Sequence, residues 1–450
     1  MPLIIFFVSL IFLNVLENGY RPYTHDGAHF QQWTSGSLQQ TLPIQVLKNA
    51  PIQSLWYLHK QPPTLDFIRA VLAQLFRNAT GKHLLQKVDA GIYYIWSLFF
   101  AGMATIIYCW MRKLTNRYFA LVAVLSWVIN PAPIFYATLL DGTFMSSFFI
   151  LWFLYELWQV GKNTGSIVRL SLASVLLLYT RTVFQWYFFP ILLCSLILLK
   201  MPIRRVYIFI GIVSALASPL IIKQYLLFGT TSTTTFAGYH KCGVIWYQPS
   251  KKEIEHTKSL IKFKYPDKAA IYSGNDKFNN EKQYQENLIY SAIFKKRLKT
   301  APMATIKELM RSLKWNSRSY WRPSAKYVSN IIPDHLVWAD LYNAIFSCRI
   351  YLELIFFSLI AWLWTYKKEE SVLLSGRKTM GMLMPVLYIF LITNLCNRYG
   401  WTEAVRLKFL LEPFFYIFIT SQIYIAITER LKKPRRKDHA DWADAKFIKY

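Results

Sequence analysis

The chain has 450 residues, 54% of them hydrophobic and 17% aromatic, with 52 Lys and Arg against 24 Asp and Glu. Its apolar residues fall in long blocks rather than at amphipathic spacing, which excludes an ordinary soluble domain and marks a multi-span membrane protein. A net charge of +28 on a soluble chain would point to nucleic acid; here the excess crowds the short loops between apolar blocks, where cytoplasmic retention accounts for it, and no nucleic-acid partner is expected.

The first apolar run, Leu3 to Leu16, reads as a transmembrane helix, because no basic residue precedes it and no small-x-small cleavage site follows it. The polar stretch 17–66 comes next. It carries Asp26 between His25 and Gly27 and ends in His59-Lys60-Gln61-Pro62-Pro63. A structureless connection this long inside a compact array is usually functional, so the stretch is read as an external catalytic loop. Leu65 to Phe76 has apolar residues at helical spacing with Asp66, Arg69 and Gln74 between them, the pattern of an interfacial helix.

Further spans are expected at about Ala90 to Trp110, Phe119 to Leu140, Thr143 to Trp158, up to Arg181, Val183 to Leu199, and Val206 to Phe228. Asn130-Pro131-Ala132-Pro133 should kink or break the third, since proline removes a backbone donor. Asp141-Gly142 forms the turn after it. The polar segment 229–340 follows, with 19 Lys and Arg against 9 Asp and Glu. Three more spans, about Leu341 to Trp364, Met380 to Cys396 and Phe409 to Ile427, precede a basic tail.

The fold class is therefore an all-α polytopic membrane protein of roughly ten transmembrane helices, with an external catalytic loop and one larger external segment. Its domains are 1–228, a transmembrane module carrying loop 17–66; 229–340, the external segment; and 341–450, the last helices and a basic cytoplasmic tail. This arrangement puts Asp26, Asp141, Arg181, the 229–340 segment and the link Asn397 to Arg406 on one extracytoplasmic face.

An early carboxylate in the first external loop, a His-x-x-Pro-Pro cluster, a second Asp after the third span, and a late Glu-x-x-Arg-x-x-Phe-Leu-Leu-x-Pro together resemble the GT-C glycosyltransferases. The similar branch holds the protein O-mannosyltransferases and the lipid A aminoarabinose transferases. The resemblance implies an integral membrane enzyme of the bacterial inner membrane, or of the endoplasmic reticulum in a eukaryote. It implies a polyprenyl- or dolichyl-phosphate sugar donor, held in membrane lipid, and a glycan, lipid or protein acceptor. Gly27 stands where many relatives carry a second acidic residue, so no metal or other cofactor is assigned.

Transfer from a lipid phosphate to a hydroxyl needs a base for the incoming proton and cations for the leaving phosphate. Asp26 is the candidate base. Asp141 would orient the acceptor or help hold Asp26, although Asp-Gly is also a common turn. Arg406 first and Arg181 second are candidates for phosphate contact, snorkelling being the alternative for an Arg at a helix end. His59 and Lys60 would meet phosphate or sugar, and Glu403 would pair with Arg406 one helical turn away. The rival reading is a secondary transporter or flippase of a lipid-linked or small polar substrate, and a structural subunit is a third. The apolar runs hold few charges while the acidic residues sit between them, which favours the enzyme.

The positive-inside rule predicts that the loops after Trp110, Trp158, Leu199 and Trp364, and the tail, face the cytoplasm. Cysteine-accessibility labelling checks this, and external labelling of the tail would overturn the whole alternation.

Overall fold

The computed structural model describes residues 1–20, 41–245, 247–272, 279–317, 376–395 and 407–432. These residues form helices joined by short turns, with no β-strand among them. The first part comprises α1 (Pro2–Tyr20), α2 (Ile44–Asn49), α3 (Pro51–Tyr57), α4 (Thr64–Leu75), α5 (Gly81–Leu114), α6 (Arg117–Val128), α7 (Pro131–Thr138), α8 (Gly142–Gly161), α9 (Ile167–Thr180), α10 (Phe188–Leu198) and α11 (Ile203–Phe228). The polar segment contributes α12 (Ala237–Val244), α13 (Lys251–Leu260), α14 (Asp267–Tyr272), α15 (Glu281–Thr300) and α16 (Pro302–Ser317). After it come α17 (Gly376–Asn394) and α18 (Glu412–Lys432).

At the centre lies α8, buried along nearly its whole length by α5, α7, α9, α17 and α18. An apolar helix with no polar face is stable only when neighbours cover it on all sides. Aromatic rings supply much of the cover: Phe100 packs on Trp127 and Phe144, and Phe153 on Phe188.

By length and composition α5 and α11 can each cross a membrane, and α6 with α7, bent by 53°, can make a third span. The bend sits where the sequence placed it. Asn130 caps α7 by accepting from the Ala132 N–H at 3.0 Å, and Pro131 opens that helix. Among the described residues the helices give two spans by length and composition, or three with the bent pair, which does not confirm the expected count of roughly ten. The described helices α9 and α10 have 14 and 11 residues, so they rise about 21 and 17 Å against a hydrocarbon core of ~30 Å. The span expected at Leu341 to Trp364 lies outside the described residues.

The bundle has two chemically distinct ends. At one, Glu156 pairs with Arg169 at 2.9 Å, Lys113 donates to Gln159 Oε1 at 2.5 Å, and Lys378 donates to the Gly161 carbonyl at 3.1 Å. This is the end of the short basic loops. Asp141 and Arg181 lie at the other end, as the alternation of basic loops required. The α12 to α16 helices attach at that end too, because the Gln185 side-chain oxygen accepts from Ser232 Oγ and the Thr233 N–H, at 2.9 and 3.0 Å.

Two positions show why particular residues serve here. Gly229 ends α11 at φ +65°, the left-handed conformation in which a glycine costs least. Gly238 lies in α12 against α15 so closely that a Cβ there would meet the Asn287 carbonyl oxygen at 1.7 Å.

The helix α4 turns its polar side inward. Asp66 and Arg69 are buried and paired at 2.7 Å, the Leu42 N–H donates to Asp66 at 3.2 Å, and Arg69 donates to the Leu42 carbonyl at 2.6 Å. Phe67, Val71 and Leu75, each four residues from the next, are the exposed ones. An interfacial helix beside lipid shows this arrangement when its charges fasten it to protein. Burial pushes the Asp66 carboxyl above its ordinary range, and the Arg69 guanidinium opposes that shift. Removing one partner of a buried pair strands the other, so Arg69→Ala should cost about 3–5 kcal/mol. Thermal unfolding of the purified protein measures this, and Asp66→Leu/Arg69→Met should lose clearly less than Arg69→Ala alone.

Candidate active site

The first turn of α8 is buried, so its free N–H groups need acceptors from the protein itself. Asp141 supplies one from an extended backbone (φ −104°, ψ 175°). Its Oδ1 accepts from the Thr143 N–H at 2.8 Å, and its Oδ2 accepts from the Thr143 hydroxyl at 2.6 Å. That hydroxyl in turn accepts from Arg181 Nη2, which lies 3.9 Å from Asp141 Oδ2. Arg181 caps the C-terminus of α9, where a cation is favoured by the helix dipole. Its side chain keeps 15% exposure against 3% for Asp141. The carboxylate is therefore a fixed internal anchor, and the guanidinium is the part of the group that can meet an anionic ligand.

The late sequence motif reaches the same place. Phe409 stacks on Tyr136, with ring centroids 4.0 Å apart, and on Phe144 at 6.2 Å, while Ser147 Oγ donates to the Phe409 carbonyl at 3.1 Å. Phe144 and Ser147 belong to the first two turns of α8. Lys408 and Glu412, on either side of Phe409-Leu410-Leu411, are both buried. The preceding Glu403 and Arg406 lie outside the described residues, as does Asp26.

His59 and Lys60 sit differently from what the sequence suggested. The His59 ring is wholly buried among Phe228, Tyr265 and Tyr284, at centroid distances of 4.7, 5.6 and 5.9 Å. Its Nδ1 shares a hydrogen bond with Thr235 Oγ1 at 2.8 Å, and its carbonyl accepts from the Thr235 N–H at 2.9 Å. The backbone N–H groups of His59 and Lys60 both donate to Asn279 Oδ1, at 3.3 and 3.1 Å. Lys60 Nζ donates to Gln283 at 3.1 Å and stands 4.8 Å from the Phe236 ring centre. In this arrangement the two side chains fasten the segment after α3 to the α12 to α15 helices rather than meeting solvent, and the stretch 17–66, expected to be structureless, contains α2 and α3.

The electrostatics agree with burial. Desolvation first, then Lys223 and Lys60, bring His59 from 6.5 down to about 3. Desolvation brings Lys60 from 10.5 down to about 7, against the opposing pull of Glu286. Lys223, near the end of α11, donates to the carbonyls of Leu58 and Leu55 at 2.7 and 3.3 Å.

Two sets of residues thus share one end of the bundle: Asp141, Thr143 and Arg181 around α8, and His59, Lys60, Thr235 and Asn279 around the docked segment. Thr64 Oγ1, which donates to the Tyr179 carbonyl at 2.7 Å, and Gln185 connect them. Thr143, Gln185, Lys223, Asn279, Lys408 and Glu412 were not among the sequence candidates. Of these, Thr143 carried a signal, since Asp-Gly-Thr before an apolar run reads as a helix cap. Among the described residues no three His, Cys, Asp or Glu side chains gather as a metal would require.

Sequence comparison finds no family and no curated protein that matches the chain. Among solved structures, the chain is similar to the Archaeoglobus fulgidus oligosaccharyltransferase in complex with Zn and sulfate, at 11% identity and a TM-score of 0.48. The match covers 94% of this chain and 49% of the other, so the chain spans about half the length of that protein.

His59 stays neutral in the folded protein down to about pH 3 but would take a proton near 6.5 when released. Between those values the unfolded chain binds more protons, so stability falls as pH falls below 6.5, by about 1.4 kcal/mol per unit. At pH 5 the docked segment should be weakened by about 2 kcal/mol. Hydrogen exchange of residues 232–236 and 279–286 at pH 7 and pH 5, corrected for intrinsic rates, reads this. His59→Phe should lose some baseline protection and most of the pH dependence; equal pH dependence in both proteins would remove His59 as the source.

Proposed function

We propose that the chain is a membrane glycosyltransferase, moving a sugar from a polyprenyl- or dolichyl-phosphate donor to a hydroxyl of a glycan, lipid or protein acceptor. The observation that carries this reading is the Asp141-Thr143-Arg181 group at the buried N-terminus of α8. It lies beside Phe409 of the late motif and opposite the basic end. With the helix N-terminus already capped by Asp141, the partly exposed Arg181 is the group that favours an anion, and a lipid phosphate is the anion that membrane sugar transfer requires.

In the proposed single displacement the acceptor oxygen attacks the anomeric carbon as the bond to the phosphate oxygen breaks. The acceptor proton passes to Asp26. The departing phosphate keeps the bonding electrons and is stabilised by Arg406 and Arg181, with Arg181 oriented by Asp141 through Thr143. Glu403 positions Arg406. His59 and Lys60 hold the segment between α3 and α4 to the α12 to α15 helices rather than contacting the donor. Locating the reaction on the extracytoplasmic face of a multi-pass protein belongs to the same proposal and rests on the basic residues at the other end.

The test is turnover of a polyprenyl-phosphate sugar by the purified chain in nanodiscs. Asp26→Asn keeps size but removes proton acceptance, so its rate should fall by about 10²–10⁴. Arg406→Lys should keep part of the donor affinity and Arg406→Ala much less, because Lys keeps the charge without the planar fork. Near-normal turnover by Asp26→Asn would eliminate Asp26 as the base. Equal donor affinity in all three position-406 forms would leave Arg406 a snorkelling residue.

A further inference from the structure

We infer that α16 is an interfacial helix that binds the anionic headgroup layer of the membrane on the Asp141 side. Around its axis the residues fall into three sectors at 100° per residue. Thr305, Ser312 and Asn316 share one sector and are buried. Met303, Ile306 and Met310 form a second and are exposed, at 75%, 46% and 59%. Lys307, Arg311 and Lys314 form the third, also exposed, beside the apolar one.

The sector facing the protein is polar, and of the two outward sectors one is apolar and the other cationic, an exposed apolar stripe that a helix meeting only water would not carry. In α4, at this end of the bundle, apolar Phe67, Val71 and Leu75 likewise face outward, while Asp66 and Arg69 are buried together with Leu65, Ala70, Leu72 and Ala73. Position fixes the occupant. Asn316 Nδ2 donates to the Asn394 carbonyl at 2.8 Å, so α16 ends against the last residue of α17. The opposite end of α17 binds Gly161 through Lys378, at the basic end of the bundle. The attachment point of α16 is therefore where the apolar part of the bundle stops and headgroups begin.

Charge fits the same surface. From Lys295 to Ser317 there are seven Lys and Arg and one acidic residue, Glu308, which is 3.8 Å from Arg311. Lys295, Lys296 and Lys299 are exposed at the turn from α15 into α16, with Leu298 exposed among them. Apolar side chains entering the acyl boundary beside cations that meet lipid phosphates are what hold an amphipathic helix in an interface. This inference rests on the membrane reading of the chain, and not on any sugar chemistry.

The test uses the full chain reconstituted in phosphatidylcholine nanodiscs with and without phosphatidylglycerol. Hydroxyl-radical footprinting reads oxidation of Met303 and Met310, with buried Met111 and Met145 as folding controls. Both exposed methionines should oxidise far more slowly than in the urea-unfolded chain, and the protection should deepen with phosphatidylglycerol. Each Lys or Arg near an anionic surface contributes about a fivefold factor. The variant Lys307→Glu/Arg311→Glu/Lys314→Glu should therefore lower docking roughly a hundredfold, while Met111 and Met145 stay protected. Oxidation at the unfolded rate in the charged nanodiscs would overturn the inference. So would protection indifferent to both lipid charge and the triple change, or protection found in native membranes but not in nanodiscs, which would mean a protein covers the face. Failure of the membrane reading itself would show separately, as a chain that does not incorporate into nanodiscs.

Discussion

The burial of α8 on every side constrains the rest of the structure. A helix with no solvent face cannot leave its first N–H groups to water, so its start must carry its own acceptor. Asp141 is that acceptor, and its two uses, as a turn residue and as part of a site, are therefore one use. Because both carboxylate oxygens are held by Thr143, the Thr143 hydroxyl has a fixed direction in which to accept, and Arg181 occupies it. Capping a buried helix thus places a cation at a defined point of the membrane interface. The stability of the bundle and the geometry of the candidate site depend on the same few hydrogen bonds.

What the sequence made legible is what depends on local chemistry. The kink at Asn130-Pro131 follows from proline's missing donor, and the common end for Asp141 and Arg181 follows from where Lys and Arg recur. The burial of His59 and Lys60 was not legible, because their partners Thr235, Asn279 and Gln283 lie some 170 to 220 residues away along the chain. A His-x-x-Pro-Pro string between apolar runs looks the same whether it faces a ligand or a docked helix. The orientation of α4 was hidden for a related reason: periodicity shows that a helix has two faces but not which one meets lipid. The number of spans is not confirmed by the described helices, since apolar blocks such as Phe188–Leu198 form helices shorter than a bilayer is thick.

In α4 and α16 alike, side chains able to hydrogen-bond face the protein. Next to lipid the hydrophobic effect gives no reason to hide apolar residues from their surroundings, so specificity must come from directional contacts. The Asp66-Arg69 pair and the Asn316 to Asn394 bond are such contacts, each satisfying a backbone group of another segment. The cost of burying polar atoms is then offset only when the partners are in register. That makes the attachment of these helices more exacting than apolar packing alone.

The described segments on either side of residues 21–40 are fixed in this way. On the entering side Tyr93 of α5 donates to the Leu13 carbonyl at 3.2 Å, and on the leaving side Leu42 exchanges hydrogen bonds with Asp66 and Arg69 of α4. The same helix begins at Thr64, whose hydroxyl holds the Tyr179 carbonyl two residues before Arg181. The start of α4 therefore ties Leu42 to the end of α9 that presents the guanidinium. A displacement of α4 would move Leu42 and the end of α9 together. The buried ion pair near the start of α4 is in this sense a positioning device for both.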